Sequence, residues 1–196
     1  MNIEIADAPL RWGELDVGLF GLANDWYGKV IEQPLAFSLA VDHDYLWFTA
    51  CHQKSASIHP GARPGEFQAE LWKYDVAEFF ILNPATGRYL EFNLAPNGAW
   101  WSAYFSAPRV RESEQDIELK GVATYADLAP DGSWMAAAAL PLHLLKKELD
   151  FGDSSMMNAT FIINSPNQQF FSAAKLSGTE PNFHQPADFK KVTYFH

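Results

Sequence analysis

Only one cysteine, Cys51, occurs among the 196 residues, so no internal disulfide can staple the chain. That usage fits a reducing compartment. Also missing is any run of about 18 apolar residues, the length a membrane-spanning helix requires. The opening Met1-Asn2-Ile3-Glu4-Ile5-Ala6-Asp7 is acidic and lacks the positively charged start and apolar stretch of a secretory signal. The expectation is a cytoplasmic protein with no membrane partner. Basic residues are few and scattered: 14 Lys and Arg stand against 24 Asp and Glu, for a formal net charge of −10. A surface of that sign repels phosphate backbones and argues against a nucleic-acid partner. Motifs for chemistry are scarce as well. No Gly-x-Ser-x-Gly elbow makes Ser154 or Ser155 a nucleophile. His52 and His59 lack the close spacing and acidic companion of a zinc site.

Aromatics are abundant instead, with 15 Phe, 7 Tyr and 7 Trp. Large rings bury large areas, and at this length a core can form without metal or disulfide support. One domain over residues 1–196 is expected, since single domains run to about 200 residues. The sequence punctuates into short strands. Phe37 to Ala50 reads as two strands turning at Val41-Asp42-His43-Asp44. The second of them, Tyr45-Leu46-Trp47-Phe48-Thr49-Ala50, is rich in the residue types strands favour. Pro60-Gly61 and Pro64-Gly65 place residues 52–66 in a loop. Gly121 to Tyr125 and Trp134 to Leu140 flank a turn at Pro130-Asp131-Gly132. Thr160 to Ile163, Gln169 to Ala173 and Val192 to Phe195 add strands. Pro141 to Lys147 is the one helical turn, with proline at its start. Many short strands with almost no helix predict an all-β, mainly antiparallel two-sheet sandwich with one short helix.

The clearest unit is a meander over 72–106. Strands Val76–Asn83, Arg88–Ala95 and Trp100–Ser106 are separated by Pro84-Ala85-Thr86-Gly87 and by Pro96-Asn97-Gly98-Ala99, where Asn-Gly is a strong hairpin signal. Pairing Asn83 with Arg88 sets Glu78 opposite Asn93 and Phe80 opposite Glu91. Pairing Ala95 with Trp100 sets Glu91 opposite Tyr104. Alternation then predicts two faces. Ala77, Phe79, Ile81, Leu90, Phe92, Leu94, Trp101, Ala103 and Phe105 form a core face. Glu78, Phe80, Tyr89, Glu91, Asn93, Trp100, Ser102 and Tyr104 form a face that mixes acids, amide and rings, which is the candidate working face.

Four stretches resemble the family 9 carbohydrate-binding modules of the wider DOMON-like superfamily. Leu71-Trp72-Lys73-Tyr74-Asp75-Val76-Ala77-Glu78-Phe79-Phe80 is similar to that family's Trp–x–x–Asp–x–Val–Glu–x–Phe run. Tyr89 to Gly98 is similar to its Tyr–x–Glu–Phe–x–Val–x–Pro–x–Gly strand and turn. Trp134 to Leu145 is similar to its Trp–x–x–Glu–x–x–Ile–Pro–Leu segment, with Ala138 in place of the acid. Pro181 to Phe189 is similar to its closing Phe–His–x–Pro–x–x–Phe, in which His184 would be structural. The resemblance is strongest over residues 35–196.

What the resemblance implies is a non-catalytic domain in which a tryptophan stacks on a sugar ring and a nearby acid binds hydroxyls; Trp72 and Glu78 match those positions. A second tryptophan on a late strand completes the site in that family. Here that stretch reads Gln169-Phe170-Phe171-Ser172, with phenylalanines available instead. The family can bind structural calcium, though no dense cluster of aspartates marks a cage here. The expected site is Trp72, Glu78, Glu91, Asn93, Trp100 and Tyr104, and the expected ligand a mono- or disaccharide. A fully extended 72–78 would hold Trp72 and Glu78 about 20 Å apart, so the chain between them must bend if they act together. The alternatives are an interaction domain that kept the sandwich and binds a protein partner or itself, and a small glycosidase built on Glu78 and Glu91.

Overall fold

The computed structural model describes all residues, 1–196. The strands are β1 (Asn2–Ile5), β2 (Phe20–Asn24), β3 (Val30–Val41), β4 (Tyr45–His52), β5 (Val76–Leu82), β6 (Tyr89–Leu94), β7 (Trp100–Ala107) and β8 (Val110–Arg111). They are followed by β9 (Ala123–Leu128), β10 (Trp134–Pro141), helix α1 (Leu142–Leu149), β11 (Met156–Ile163), β12 (Gln169–Ser172), β13 (Lys190–Lys191) and β14 (Thr193–Phe195). One sheet runs β14-β1-β3-β4-β10-β9 with β2 beside β3. The other runs β12-β11-β5-β6-β7-β8 with β13 beside β11. Pairing is antiparallel except where β1 lies parallel to β14 and β3. The expected all-β sandwich, its strands and its one helix are therefore present.

Between the sheets, Phe48 of β4 meets Phe79 of β5 with ring centroids 5.0 Å apart, and Phe79 stacks on Phe92. Leu39, Leu46, Ile81, Leu90, Leu94 and Phe161 complete this inner layer, all essentially inaccessible to solvent. A second apolar cluster lies on the outer face of the second sheet. There Val76, Phe80, Tyr89, Trp101 and Phe105 are covered by Ala62 and Leu71 from the long loop after β4 and by Phe183 and Phe189 from the segment before β13. Both faces of that sheet are buried.

This double burial explains where the meander departs from expectation. Glu78 opposes Asn93 and Phe80 opposes Glu91, as the first turn predicts. In β7 the register is shifted by one: Leu94 opposes Trp100, Asn93 opposes Trp101 and Glu91 opposes Ala103. The loop is three residues long rather than four. Ala95 N–H donates to the Ala99 carbonyl at 2.8 Å, Gly98 N–H donates to the Ala95 carbonyl at 2.9 Å, and Gly98 has φ 84°. That is the three-residue hairpin whose last loop position is left-handed. A one-residue slip exchanges the faces. Trp100 and Tyr104 therefore join the inter-sheet core, where Trp100 stacks on Phe92 at 5.5 Å and Tyr104 lies under Arg88. Trp101, Ala103 and Phe105 take the outer face.

Candidate functional site

A cavity of about 350 Å³ opens on the outer face of the second sheet. Glu78 of β5, Glu91 of β6, Trp101 and Phe105 of β7, Ile162 of β11 and Phe170 of β12 line it from the sheet. Trp72, Arg109 and the run Pro181-Asn182-Phe183-His184 line it from the connections between strands, and Arg111 from β8. Trp72 reaches it because Leu71–Lys73 coil into a single 3₁₀ turn before β5 begins. The bend required to bring Trp72 and Glu78 together is thus present. The Trp72 ring packs edge-on against Trp101, centroids 5.0 Å apart. Arg111 lies over both rings, 4.7 Å from the Trp101 centroid and 5.6 Å from that of Trp72, and pairs with Asp116 at 3.0 Å.

Glu78 and Glu91 sit on adjacent strands as diagonal neighbours, 2% and 6% exposed. The loops that cover this face of the sheet bury both. Burial, and then the charge of Glu91, pushes the Glu78 carboxyl well above the usual carboxylate range. Glu91 is pushed up to about 7 by burial, with the neighbouring Asn93 amide and the Arg111 charge pulling the other way. Two like charges on one buried floor oppose each other's ionisation. Thr160 Oγ1 donates to Glu78 Oε2 at 2.9 Å, which leaves Oε1 uncommitted.

His184 completes the acidic corner. The Tyr89 hydroxyl lies 2.8 Å from Nδ1, and Nε2 lies 3.5 Å from Glu91 Oε2. Burial, then Arg109 and Arg111, lower its pKa to about 4, so the ring is neutral at pH 7. The Tyr89 hydroxyl also lies 3.4 Å from the Ala107 carbonyl and accepts the Arg109 N–H, so it ties His184 to the β7–β8 hairpin.

Of the residues expected at the site, Trp72, Glu78 and Glu91 line this one cavity. Asn93 is fully buried on the same face between Glu78 and Trp101. Trp100 and Tyr104 belong to the other face. The late-strand phenylalanines separate: Phe170 lines the cavity, while Phe171 is buried in the inter-sheet core. His184, Arg109 and Asn182 come from loops and Arg111 from the two-residue strand β8, and only the Phe–His–x–Pro stretch gave His184 any sequence signal. As for calcium, no three acidic or metal-ligating side chains converge. The carboxylate of Asp42 instead accepts N–H bonds from Leu10, Asp44, Tyr45 and Trp47.

No family model matches the chain. Its architecture superposes on a family 9 carbohydrate-binding module from Caldicellulosiruptor kristjanssonii in complex with glucose, with TM-score 0.62 and 12% identity, covering 100% of this chain and 96% of that one. A family 9 carbohydrate-binding module from the same organism in complex with cellotriose gives TM-score 0.61 at 13% identity, covering 99% of this chain and 93% of that one. The fold is that of a family 9 carbohydrate-binding module. A Bacteroides uniformis structure named "putative carbohydrate-binding protein" shares this fold at TM-score 0.70 and 17% identity, covering 91% of this chain and 87% of that one. In sequence, the chain is similar to the rat UPF0462 protein C4orf33 homolog, 49% identical over 145 residues. That match takes in 69% of the chain, which spans just under two thirds (66%) of the rat protein's length. The module-like fold thus extends to a sequence close to a mammalian protein.

Proposed function

We propose that the cavity binds a mono- or disaccharide and does not cleave it. The observation that carries this reading is the meeting of Trp72 and Phe170 with the paired carboxyls of Glu78 and Glu91 in one cavity. Aromatic faces suit the C–H side of a sugar ring, and carboxyl groups bind its hydroxyls as acceptors or, when protonated, as donors. The volume suits a small ligand. Glucose and cellotriose are the ligands of the solved module that shares the fold. Hydrolysis needs an acid and a second carboxylate flanking the scissile bond. The solved structures that share the fold are named as carbohydrate-binding modules, which supports binding without turnover.

Titration calorimetry with glucose and cellotriose tests the reading. The expected result is weak, enthalpy-driven binding that Trp72→Ala abolishes while the far-ultraviolet circular dichroism is unchanged. No heat and no melting-temperature shift with any sugar would overturn it and favour a protein-interaction domain. Release of reducing sugar, lost in Glu78→Gln or Glu91→Gln, would overturn the non-catalytic part.

A further inference from the structure

The geometry points to a saccharide carrying an anionic group, carboxylate or phosphate, as the ligand class of this cavity, with Arg109 binding the anion. This inference rests on the saccharide reading above and narrows it. Arg109 occupies the tip of the β7–β8 hairpin, Ala107-Pro108-Arg109-Val110, and lines the cavity. Its backbone is left-handed, φ 61°, a conformation that costs a non-glycine residue energy and is retained where the surroundings enforce it. The surroundings here are two. The Arg109 N–H donates to the Tyr89 hydroxyl at 3.2 Å, and Nε donates to Asn182 Oδ1 at 3.1 Å. Asn182 Oδ1 also accepts the His184 N–H at 3.2 Å, so one amide joins the arginine to the acidic corner.

Of the other four arginines, Arg11 is exposed on the N-terminal segment and does not line the cavity, and the remaining three are committed. Arg63 donates to the carbonyls of Pro60 and Ala62, Arg88 pairs with Glu112 and Glu148, and Arg111 pairs with Asp116. Arg109 has no acidic partner, and its two terminal nitrogens bond nothing in the chain. In a protein of net charge −10, an unpaired, oriented fork at the rim of a cavity is out of keeping with its surroundings. A planar guanidinium fork matches carboxylate and phosphate oxygens two at a time. The carboxyls at the floor are left to serve hydroxyls, which places the neutral side of a sugar deep and its anionic group at the rim.

The test compares glucose, glucuronate and glucose 6-phosphate by calorimetry at low ionic strength, with inorganic phosphate and acetate as controls. One or both anionic sugars are expected to bind about tenfold tighter than glucose, by a margin that shrinks as salt is added. In Arg109→Gln, of unchanged melting temperature, the ratio of anionic to neutral affinity is expected to fall to about one. Whichever anionic sugar shows the margin identifies carboxylate or phosphate as the group read. If anionic sugars bind no tighter than glucose, or the margin survives in Arg109→Gln, the inference fails while saccharide binding stands. Binding of inorganic phosphate or acetate as tightly as the anionic sugars would reduce it to an adventitious anion contact and overturn it. Silence from every sugar overturns the saccharide reading itself.

Discussion

His184 presents Nε2 to Glu91 Oε2 across 3.5 Å, joining residues 93 positions apart, about half the chain length, in one corner of the cavity. Neither is charged in the ordinary way. The histidine is held neutral by burial and two arginines, and the glutamate keeps its proton up to about 7. Between about pH 4 and 7 this contact is therefore between two neutral groups, and it becomes an imidazole facing a carboxylate only as Glu91 ionises.

That titration predicts a pH dependence of stability. A carboxyl whose folded pKa is raised stabilises the fold fully below its unfolded value, near 4.5, and loses that contribution as pH rises through about 7. The amount is on the order of 3 kcal/mol at about 1.4 kcal/mol per unit. Glu91→Gln should therefore melt several degrees higher than the wild type at pH 8 and at nearly the same temperature at pH 4.5. His184 acts in the opposite sense, losing stability as pH falls from 6.5 through about 4. At pH 8 the histidine is neutral in both the folded and the unfolded chain, so it does not enter that comparison. Equal melting temperatures at pH 8 would show that Glu91 carries no buried charge.

The two neighbouring tryptophans of β7 and the loop tryptophan separate packing from binding. Trp100 stacks on Phe92 between the sheets, whereas Trp72 is half-buried at the cavity. Trp100→Ala should cost about 3–5 kcal/mol yet leave saccharide affinity unchanged in the protein that remains folded. Trp72→Ala should cost less, about 1–2 kcal/mol given its partial burial, and lose binding. Denaturant titration paired with calorimetry reads both quantities. Lost affinity in Trp100→Ala with stability intact would place that ring on the binding face after all.

Much of this was legible in the sequence, and the limit is physical. The β5–β6 register follows from a turn whose ends, Asn83 and Arg88, are bonded as expected, and it places Glu78 and Glu91 diagonally. The register of β7 was not legible because its alternation carries no polarity. Trp100, Trp101, Ala103, Tyr104 and Phe105 are all buried, on two different cores. With no solvent face to break the tie, only the length of the Pro96-Asn97-Gly98 loop decides which tryptophan faces which way. Arg109 and Asn182 were invisible for another reason: loops bring them in from distant positions, and nothing beside them in the sequence marks their meeting.

Gly98 is the residue that fixes that loop. Its φ of 84° is one that alanine adopts at a cost of about 1–2 kcal/mol. A Cβ there would also stand 3.4 Å from Ala126 Cβ. Thr124 Oγ1 donates to the Gly98 carbonyl, tying the turn to β9. Gly98→Ala should lower stability by about 1–2 kcal/mol, and Gly98→Asn by less, since asparagine tolerates the left-handed region. Chemical denaturation of the two variants checks the order. Equal losses would mean crowding against β9, rather than backbone conformation, sets the cost.

Phe170 and Phe171 lie on opposite faces of β12, so substitutions one residue apart should have unrelated consequences. Phe171 is wholly buried in the inter-sheet core, and Phe171→Ala should cost about 3–5 kcal/mol. Phe170 is half-buried at the cavity, 6.0 Å from Phe183. Phe170→Ala should weaken saccharide binding with little loss of stability. Phe170→Trp should strengthen it, because an indole offers a larger stacking face from the same backbone position. Calorimetric affinities for the three variants decide the matter. A gain in Phe170→Trp together with a loss in Phe170→Ala would make Phe170 a second aromatic surface of the sugar site. Loss in both would mean that the cavity is closed by packing around Phe170, and that the ligand is held by Trp72 and the carboxyl floor alone.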